Sequence, residues 1–277
     1  MKVTIFYFSG TGNTWYAANR IKDSLNNLGA DAQAISIEDS SISDKTTLVR
    51  LVDESDKIVI GYPIYGSKAP EIMIDFINQF PETQTPKAFS LFSTVALYSG
   101  DGAVYYSKVF IEKGYEFESG FEFISNNNFN VPNFPNVLKV GDDKKVTRKN
   151  DKVANKATKM ADSIVNNKSI INGGGIIGRF MGKSQRKYID AEIRKMNNSM
   201  YVEHSKCINC ARCVKMCPVE NISRVDGKIE IKSNCIACMR CYHFCPTNAI
   251  NITEKSLDIE KWPRYKGPTK DYVKTLL

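Results

Sequence analysis

All eight cysteines of the chain fall between Cys207 and Cys245, and the 206 residues before them contain none. Residues 207–222 read CINCARCVKMCPVENI and residues 235–250 read CIACMRCYHFCPTNAI. At an offset of 28 residues, eight of sixteen positions are identical: four Cys, two Ile, one Arg and one Pro. The segment is an internal duplication of C-x2-C-x2-C-x3-C-P. Three closely spaced thiols must curl around one centre. The fourth stands ahead of a proline, Pro218 or Pro246, which lacks an N–H and turns the chain.

Three thiolates on a short loop wrap three irons of one [4Fe–4S] cubane, and the fourth cysteine reaches to the other cubane. One cluster is therefore expected on Cys207, Cys210, Cys213 and Cys245, and the other on Cys235, Cys238, Cys241 and Cys217. Structural zinc would use two CxxC pairs with a longer interval, and a disulfide scaffold would be a short secreted chain with cysteines spread through it. Eight cysteines fill eight ligand positions, which leaves none for His204 or His243; both read as structural or solvent-exposed residues. Arg212 and Arg240 occupy equivalent places in the two halves. They either raise the cluster potentials or, as the blander reading has it, are solvated surface arginines.

Ahead of the cysteines, strand and helix patterns alternate. Strands are expected at Lys2–Phe8, Ala32–Ile37, Asp56–Gly61, Lys87–Thr94 and Tyr115–Ile124, the last alternating apolar and Glu residues as a half-buried strand near an edge does. Helices are expected at Asn13–Leu28, after Pro70 with Ile72, Phe76 and Phe80 on one side, at about 101–113, and at roughly 151–166. Five strands separated by helices imply an α/β, doubly wound, five-stranded parallel sheet, with ligands outside the carboxyl ends of its strands. From residue 166 to 200 the composition shifts to Asn, Gly and basic residues. Glycines 173, 175 and 178 satisfy G-x-G-x-x-G, but the motif lacks its βαβ setting, so a flexible hinge is expected over a dinucleotide site.

The first strand feeds Ser9-Gly10-Thr11-Gly12-Asn13-Thr14 at a helix start. Backbone N–H groups of such a turn form an anion site, and the Ser, Thr and Asn side chains add donors. No Lys or Arg stands in the loop and the GK[ST] signature is absent, so a phosphate monoester fits better than a magnesium triphosphate. Simple helix capping is the bland alternative. A Cβ at Gly12 is expected to intrude where backbone approaches phosphate.

SGTGNT after an N-terminal strand resembles the flavodoxin FMN-phosphate motif. With the cysteine repeat, the chain resembles fusions of a flavodoxin with a two-[4Fe–4S] bacterial ferredoxin, found in anaerobes. The resemblance implies a flavodoxin-like FMN domain at 1–166, a basic linker with one helix at 167–199, a small α+β ferredoxin domain at 200–254 and a tail at 255–277. It also implies two flavin-ring loops. Pro63, Ile64, Tyr65 and Gly66 would lie along the isoalloxazine edge, with Gly66 the flexible residue beside N5, and Ser93, Thr94, Tyr98, Gly100 and Asp101 against the ring. Tyr65 and Tyr98 would stack on it; Tyr62 is read as the alternative, a residue that simply ends a buried strand.

The formal net charge of +8 sits mainly in residues 166–198 (+5) and 255–277 (+3). Thiolate-bound clusters and a flavin phosphate would offset most of it, so the excess reads as compensation or as a docking surface for an acidic redox partner, not as a nucleic-acid site. No apolar run reaches the length of a membrane span, and Val3–Phe8 is too short for a signal peptide, so a cytoplasmic protein is expected. Each cubane passes one electron and FMN one or two, which suits an electron carrier whose partner is a ferredoxin, flavodoxin or oxidoreductase. The alternative is an FMN-dependent reductase of a small acceptor such as a quinone, nitro compound or oxygen species, with residues 126–136 covering the flavin.

Overall fold

Strand β1 (Lys2–Tyr7) points Val3, Ile5 and Tyr7 to one face and Phe6 to the other, the alternation its sequence requires. A computed structural model describes residues 1–132 and 139–275. Contacts divide the chain into two units. Met1–Ser9, Asn13–Ser125 and Arg148–Lys187 form the first; Gly10–Gly12, Asn126–Thr147 and Tyr188–Leu277 form the second.

The first unit is a five-stranded sheet in the order β2-β1-β3-β4-β5, parallel throughout. The other strands are β2 (Asp31–Ser36), β3 (Lys57–Pro63), β4 (Lys87–Val95) and β5 (Tyr115–Ile124). Helices α1 (Asn13–Asn27), α2 (Lys45–Glu54), α3 (Glu71–Gln79), α4 (Ser107–Glu112) and α5 (Asp143–Val165) connect or follow them. On one sheet face Val3, Ile5, Tyr7, Val59 and Phe121 pack against Ala17, Ile21 and Leu25 of α1 and Val153, Met160 and Ile164 of α5. On the other, Phe6 meets Phe76 and Phe80, and Phe110 meets Phe80 and Phe89 in tilted and edge-on contacts. Each such fully buried side chain contributes about 1.5–3 kcal/mol over its exposed state.

Several element expectations need correcting. Helix α2 was not anticipated, though Leu48, Leu51 and Val52 give it a buried face and the Asp44 carboxylate caps it by accepting from Thr46 and Thr47 N–H. The buried side of α3 is Met73 and Ile77, with Phe80 just beyond it; Ile72 and Phe76 flank that stripe, half-buried. The helix expected at 101–113 shrinks to Ser107–Glu112, because residues 99–104 instead close successive turns, Gly102 N–H to Ser99 O and Val104 N–H to Asp101 O. Helix α5 starts eight residues earlier than its apolar pattern suggests, at Asp143 rather than 151.

The expected hinge is also different. Residues Ile176–Ser199 form one helix, α6, which starts in the first unit and ends in the second. Its early glycines serve close approach. A Cβ on Gly178 would stand 3.1 Å from Gly100 O, and one on Gly182 only 1.9 Å from Asp101 Oδ1.

The second unit is built of small pieces. Strand β6 (Tyr201–Val202) pairs antiparallel with β9 (Ile250–Asn251), and β7 (Ile222–Val225) with β8 (Lys228–Ile231). Short helices α7 (Arg212–Lys215) and α8 (Arg240–Phe244) carry the middle of each cysteine run. The duplication is visible in the backbone. Positive φ recurs at Asn209 and Ala237, Ala211 and Met239, and Glu220 and Asn248, each pair 28 residues apart. The segment expected as a tail is packed, with Trp262, Tyr265 and Tyr272 buried and a last helix at Asp271–Lys274. Among the described residues no helix is long and apolar enough to cross a membrane.

Candidate functional site

Each cysteine run bends through two left-handed residues before its short helix, which turns successive thiols inward. Two cavities result. Cys207, Cys210, Cys213 and Cys245 line one, together with Ile208, Ile229 and Pro246. Cys217, Cys235, Cys238 and Cys241 line the other, with Met196, Met200 and Ile236. Each cavity thus draws three thiols from one half of the repeat and its fourth from the other half. The fourth sulfur of each set accepts a backbone N–H four residues on: Asn221 N to Cys217 Sγ at 3.1 Å and Ala249 N to Cys245 Sγ at 3.2 Å.

The chemistry of these sets suits a bound cluster. Burial pushes Cys213 up to about 11 and Cys238 up to about 12, and raises Cys235 and, most of all, Cys241. Apolar walls disfavour free thiolates, so four of them gathered at one cavity need cations among the sulfurs. His243 is structural: its Nε2–H donates to Asn128 O at 2.6 Å and its Nδ1 accepts from Tyr265 N–H at 2.9 Å. Burial lowers its pKa to about 4 and keeps it neutral. His204 is exposed.

The Ser9–Thr14 turn joins β1 to α1, and all six residues are buried. Thr14 Oγ1 shares a 2.8 Å hydrogen bond with Thr94 Oγ1, so the phosphate-loop candidate meets the ring-loop candidate that contains Ser93 and Thr94 through two hydroxyls. Gly12 holds φ +103°, which L side chains rarely adopt. The close approach there is not the one expected from a phosphate. A Cβ on Gly12 would stand 2.6 Å from Pro268 Cδ and 2.7 Å from Tyr272 Cδ1.

The two ring-loop candidates also pack together, with Ile64 N–H donating to Thr94 O at 2.9 Å. Tyr65-Gly66-Ser67-Lys68 is a tight turn whose central residues have φ +60° and +61°, and Tyr65 N–H donates to Lys68 O at 2.8 Å. Pro63, Ile64, Tyr65 and Gly66 are half-buried, Ser93 and Thr94 buried, and Tyr98 is 39% exposed. Tyr62 is fully buried and donates to Gly102 O at 2.9 Å, as a residue ending a buried strand does. The Asp101 carboxylate is taken by Arg186, Nη1 to Oδ1 at 2.6 Å and Nη2 to Oδ2 at 3.0 Å. A Cβ on Gly100 would stand within about 3 Å of Ser67 Oγ, Gly182 N and Gly178 O. Residues 126–132 are mostly buried in the second unit; positions 133–136 of the expected cover lie outside the described residues.

A family model, flavodoxin domain, matches residues 4–116, and a second, 4Fe-4S dicluster domain, matches residues 206–250. Flavodoxin of Megasphaera elsdenii is 32% identical over 101 residues, 36% of this chain and 69% of that protein. The chain belongs to the flavodoxin family. Its flavodoxin part is fused to a 4Fe–4S dicluster domain. Among solved structures, a flavodoxin from the domain Archaea is similar at 18% identity and TM-score 0.40, covering 60% of this chain and 99% of that one. Two-electron reduced Megasphaera elsdenii flavodoxin is similar at 22% and 0.38, covering 57% and 98%. A flavodoxin domain implies FMN and a dicluster domain implies iron–sulfur groups, so this flavodoxin fusion transfers electrons.

Within the flavodoxin frame, three residues near the phosphate loop escaped the sequence reading. Arg240 is 3% exposed rather than solvated. Its Nε donates to Gly10 O at 2.9 Å and its Nη1 to Met216 O at 3.1 Å. Tyr272 OH donates to the same Gly10 O at 2.9 Å, and Asn128 Nδ2 to Thr11 Oγ1 at 2.5 Å. Arg212, the repeat equivalent of Arg240, is half-buried. The recurrence of Arg at an offset of 28 was the only sequence signal for Arg240; Asn128 lay within the 126–136 segment expected to cover the flavin, and nothing local marked Tyr272.

Proposed function

We propose that the chain is an electron relay in which two [4Fe–4S] clusters pass single electrons to or from FMN held at the Ser9–Thr14 turn. The observation that carries this reading is the division of eight thiols into two cavities of four, each with its fourth thiol from the opposite half. That is the ligand exchange two cubanes need. FMN, when bound, supplies the exchange between one- and two-electron carriers.

The two thiol sets differ in exposure, and this suggests an order for the relay. Around Cys207, Cys210 and Cys213, Ile208 is 63% exposed, Cys210 is exposed, and Lys206 and Lys215 stand in solvent. This set meets the redox partner, whose docking face would be acidic. The set of Cys217, Cys235, Cys238 and Cys241 has Ile236 at 9% and Cys238 at 7% exposure and is internal to the second unit. The backbone at Thr14, the hydroxyls of Thr11 and Thr14, and Asn13 hold the phosphate; Pro63–Gly66 and Ser93–Asp101 border the ring.

Stopped-flow mixing with a reduced ferredoxin tests the order. Iron–sulfur bleaching should precede flavin reduction, and a chain stripped of its clusters should receive electrons far more slowly. Equal flavin reduction with and without clusters would overturn the relay. Steady turnover of a quinone or nitro compound without any protein acceptor would favour the reductase alternative.

A further inference from the structure

Gly10, Thr11 and Gly12 group by contact with the second unit, although their neighbours on both sides group with the first. Two donors of that unit end on one atom of this stretch. Arg240 Nε and Tyr272 OH each donate to the Gly10 carbonyl oxygen at 2.9 Å. The same guanidinium reaches Met216 O, next to Cys217, and its own residue lies between Cys238 and Cys241. One buried side chain therefore contacts both stretches of chain that supply the internal thiol set.

A trans peptide is planar, with C=O and N–H pointing in opposite directions, and the described residues contain no cis peptide. Holding the Gly10 oxygen toward Arg240 and Tyr272 therefore turns the Thr11 N–H away from them. Asn128 holds the Thr11 hydroxyl in addition. The orientation of this peptide of the proposed phosphate loop is consequently set by the cysteine loop and by the segment around Tyr272.

We propose that Arg240 is a positioning residue that couples the internal cluster site to the phosphate loop, so that a filled cluster site raises affinity for the FMN phosphate. By linkage, bound FMN then raises cluster retention by the same factor. This inference rests on the relay reading above, and adds to it that the two cofactor sites are energetically coupled through one guanidinium.

The test uses the full chain, reconstituted with iron and sulfide, titrated anaerobically with FMN and with riboflavin by flavin fluorescence quenching. Arg240→Gln removes the charged donor, and its FMN dissociation constant should rise roughly tenfold to a hundredfold while that for riboflavin stays unchanged. Arg240→Lys, which keeps a charge, should fall between. Tyr272→Phe loses one neutral hydrogen bond and should weaken FMN about two- to tenfold, with iron content intact. Removing the clusters with a chelator should weaken FMN in the parent and add little in Arg240→Gln. The proposal is overturned if Arg240→Gln and Tyr272→Phe both bind FMN like the parent, if riboflavin weakens in step with FMN, or if cluster removal costs both proteins equally. A parent that shows no preference for FMN over riboflavin would instead overturn the phosphate-loop reading on which this rests.

Discussion

The two halves of the cysteine repeat share half of their residues and live in different surroundings. Ile208 is 63% exposed and its counterpart Ile236 is 9% exposed. Cys210 faces solvent and Cys238 is buried; Lys215 stands in water and His243 is enclosed between Asn128 O and Tyr265 N–H. Arg212 is half-buried, whereas Arg240 is interior and spends its donors on Gly10 and Met216. The shared residues include those that shape the loop, the four thiols and the turning proline, and the backbone keeps positive φ at Asn209 and Ala237, Ala211 and Met239, and Glu220 and Asn248 although those residues differ. Environment differs even at identical positions, Ile208 and Ile236 or Arg212 and Arg240, and at Lys215 and His243 the residue has changed with it. A duplicated motif preserves what its ligand demands and lets solvent or packing choose the rest.

Breaking one half should expose the crossing between them. The parent should hold about eight irons and eight sulfides when both sites fill. Cys217→Ser should remove the cluster associated with Cys235, Cys238 and Cys241 and spare the other; Cys245→Ser should do the reverse. EPR of the reduced variants reads this directly, and loss of the local cluster instead would show that the thiols do not cross.

The exposure contrast predicts unequal costs for one and the same chemical change. Ile236→Asp buries a carboxylate beside the internal thiols and should cost about 3 kcal/mol or more in a denaturant titration. Ile208→Asp should stay within about 0.5 kcal/mol. Similar losses at both positions would contradict the assignment of one half to solvent and one to the interior.

On the proposed reading, Thr14→Ala removes a hydrogen bond to the FMN phosphate along with the one to Thr94 Oγ1. FMN should weaken roughly ten- to a hundredfold, with riboflavin unaffected. Gly12→Val does not report on phosphate approach, because its side chain would strike Pro268 and Tyr272. The smallest effect is expected at the exposed half. Lys215→Glu should slow electron entry from an acidic partner several-fold at low ionic strength, and the difference should shrink as salt screens it. A salt-independent rate would place the partner elsewhere.

Much of the first unit was legible because its signals are periodic. Alternating Val3, Ile5 and Tyr7 marked a strand, and Ala17, Ala18, Ile21 and Leu25 a helix face. The thiol positions were legible because spacing along a short loop restricts where sulfur can point. Legibility failed where a neighbour distant in sequence decides the outcome. Arg186, 85 residues beyond Asp101, binds the carboxylate at the point where a longer helix was expected. Gly178 belonged to the glycine run read as a hinge, and it is instead a helix position packed on Gly100, with Gly182 one turn on packed on Asp101.

The sequence by itself determined the parallel five-stranded scheme, the turn at Ser9–Thr14 and the duplicated cysteine loops, because each depends on residues within a few positions of one another. Only the tertiary structure decided which half of the repeat is interior, that Pro268 and Tyr272 lie against Gly12, and that Arg240 ends on Gly10. Those outcomes depend on contacts 230 residues apart for Arg240 and 262 apart for Tyr272. A hydrogen bond across such a span leaves no local pattern, since either partner alone reads as an ordinary surface residue until the chain closes around it.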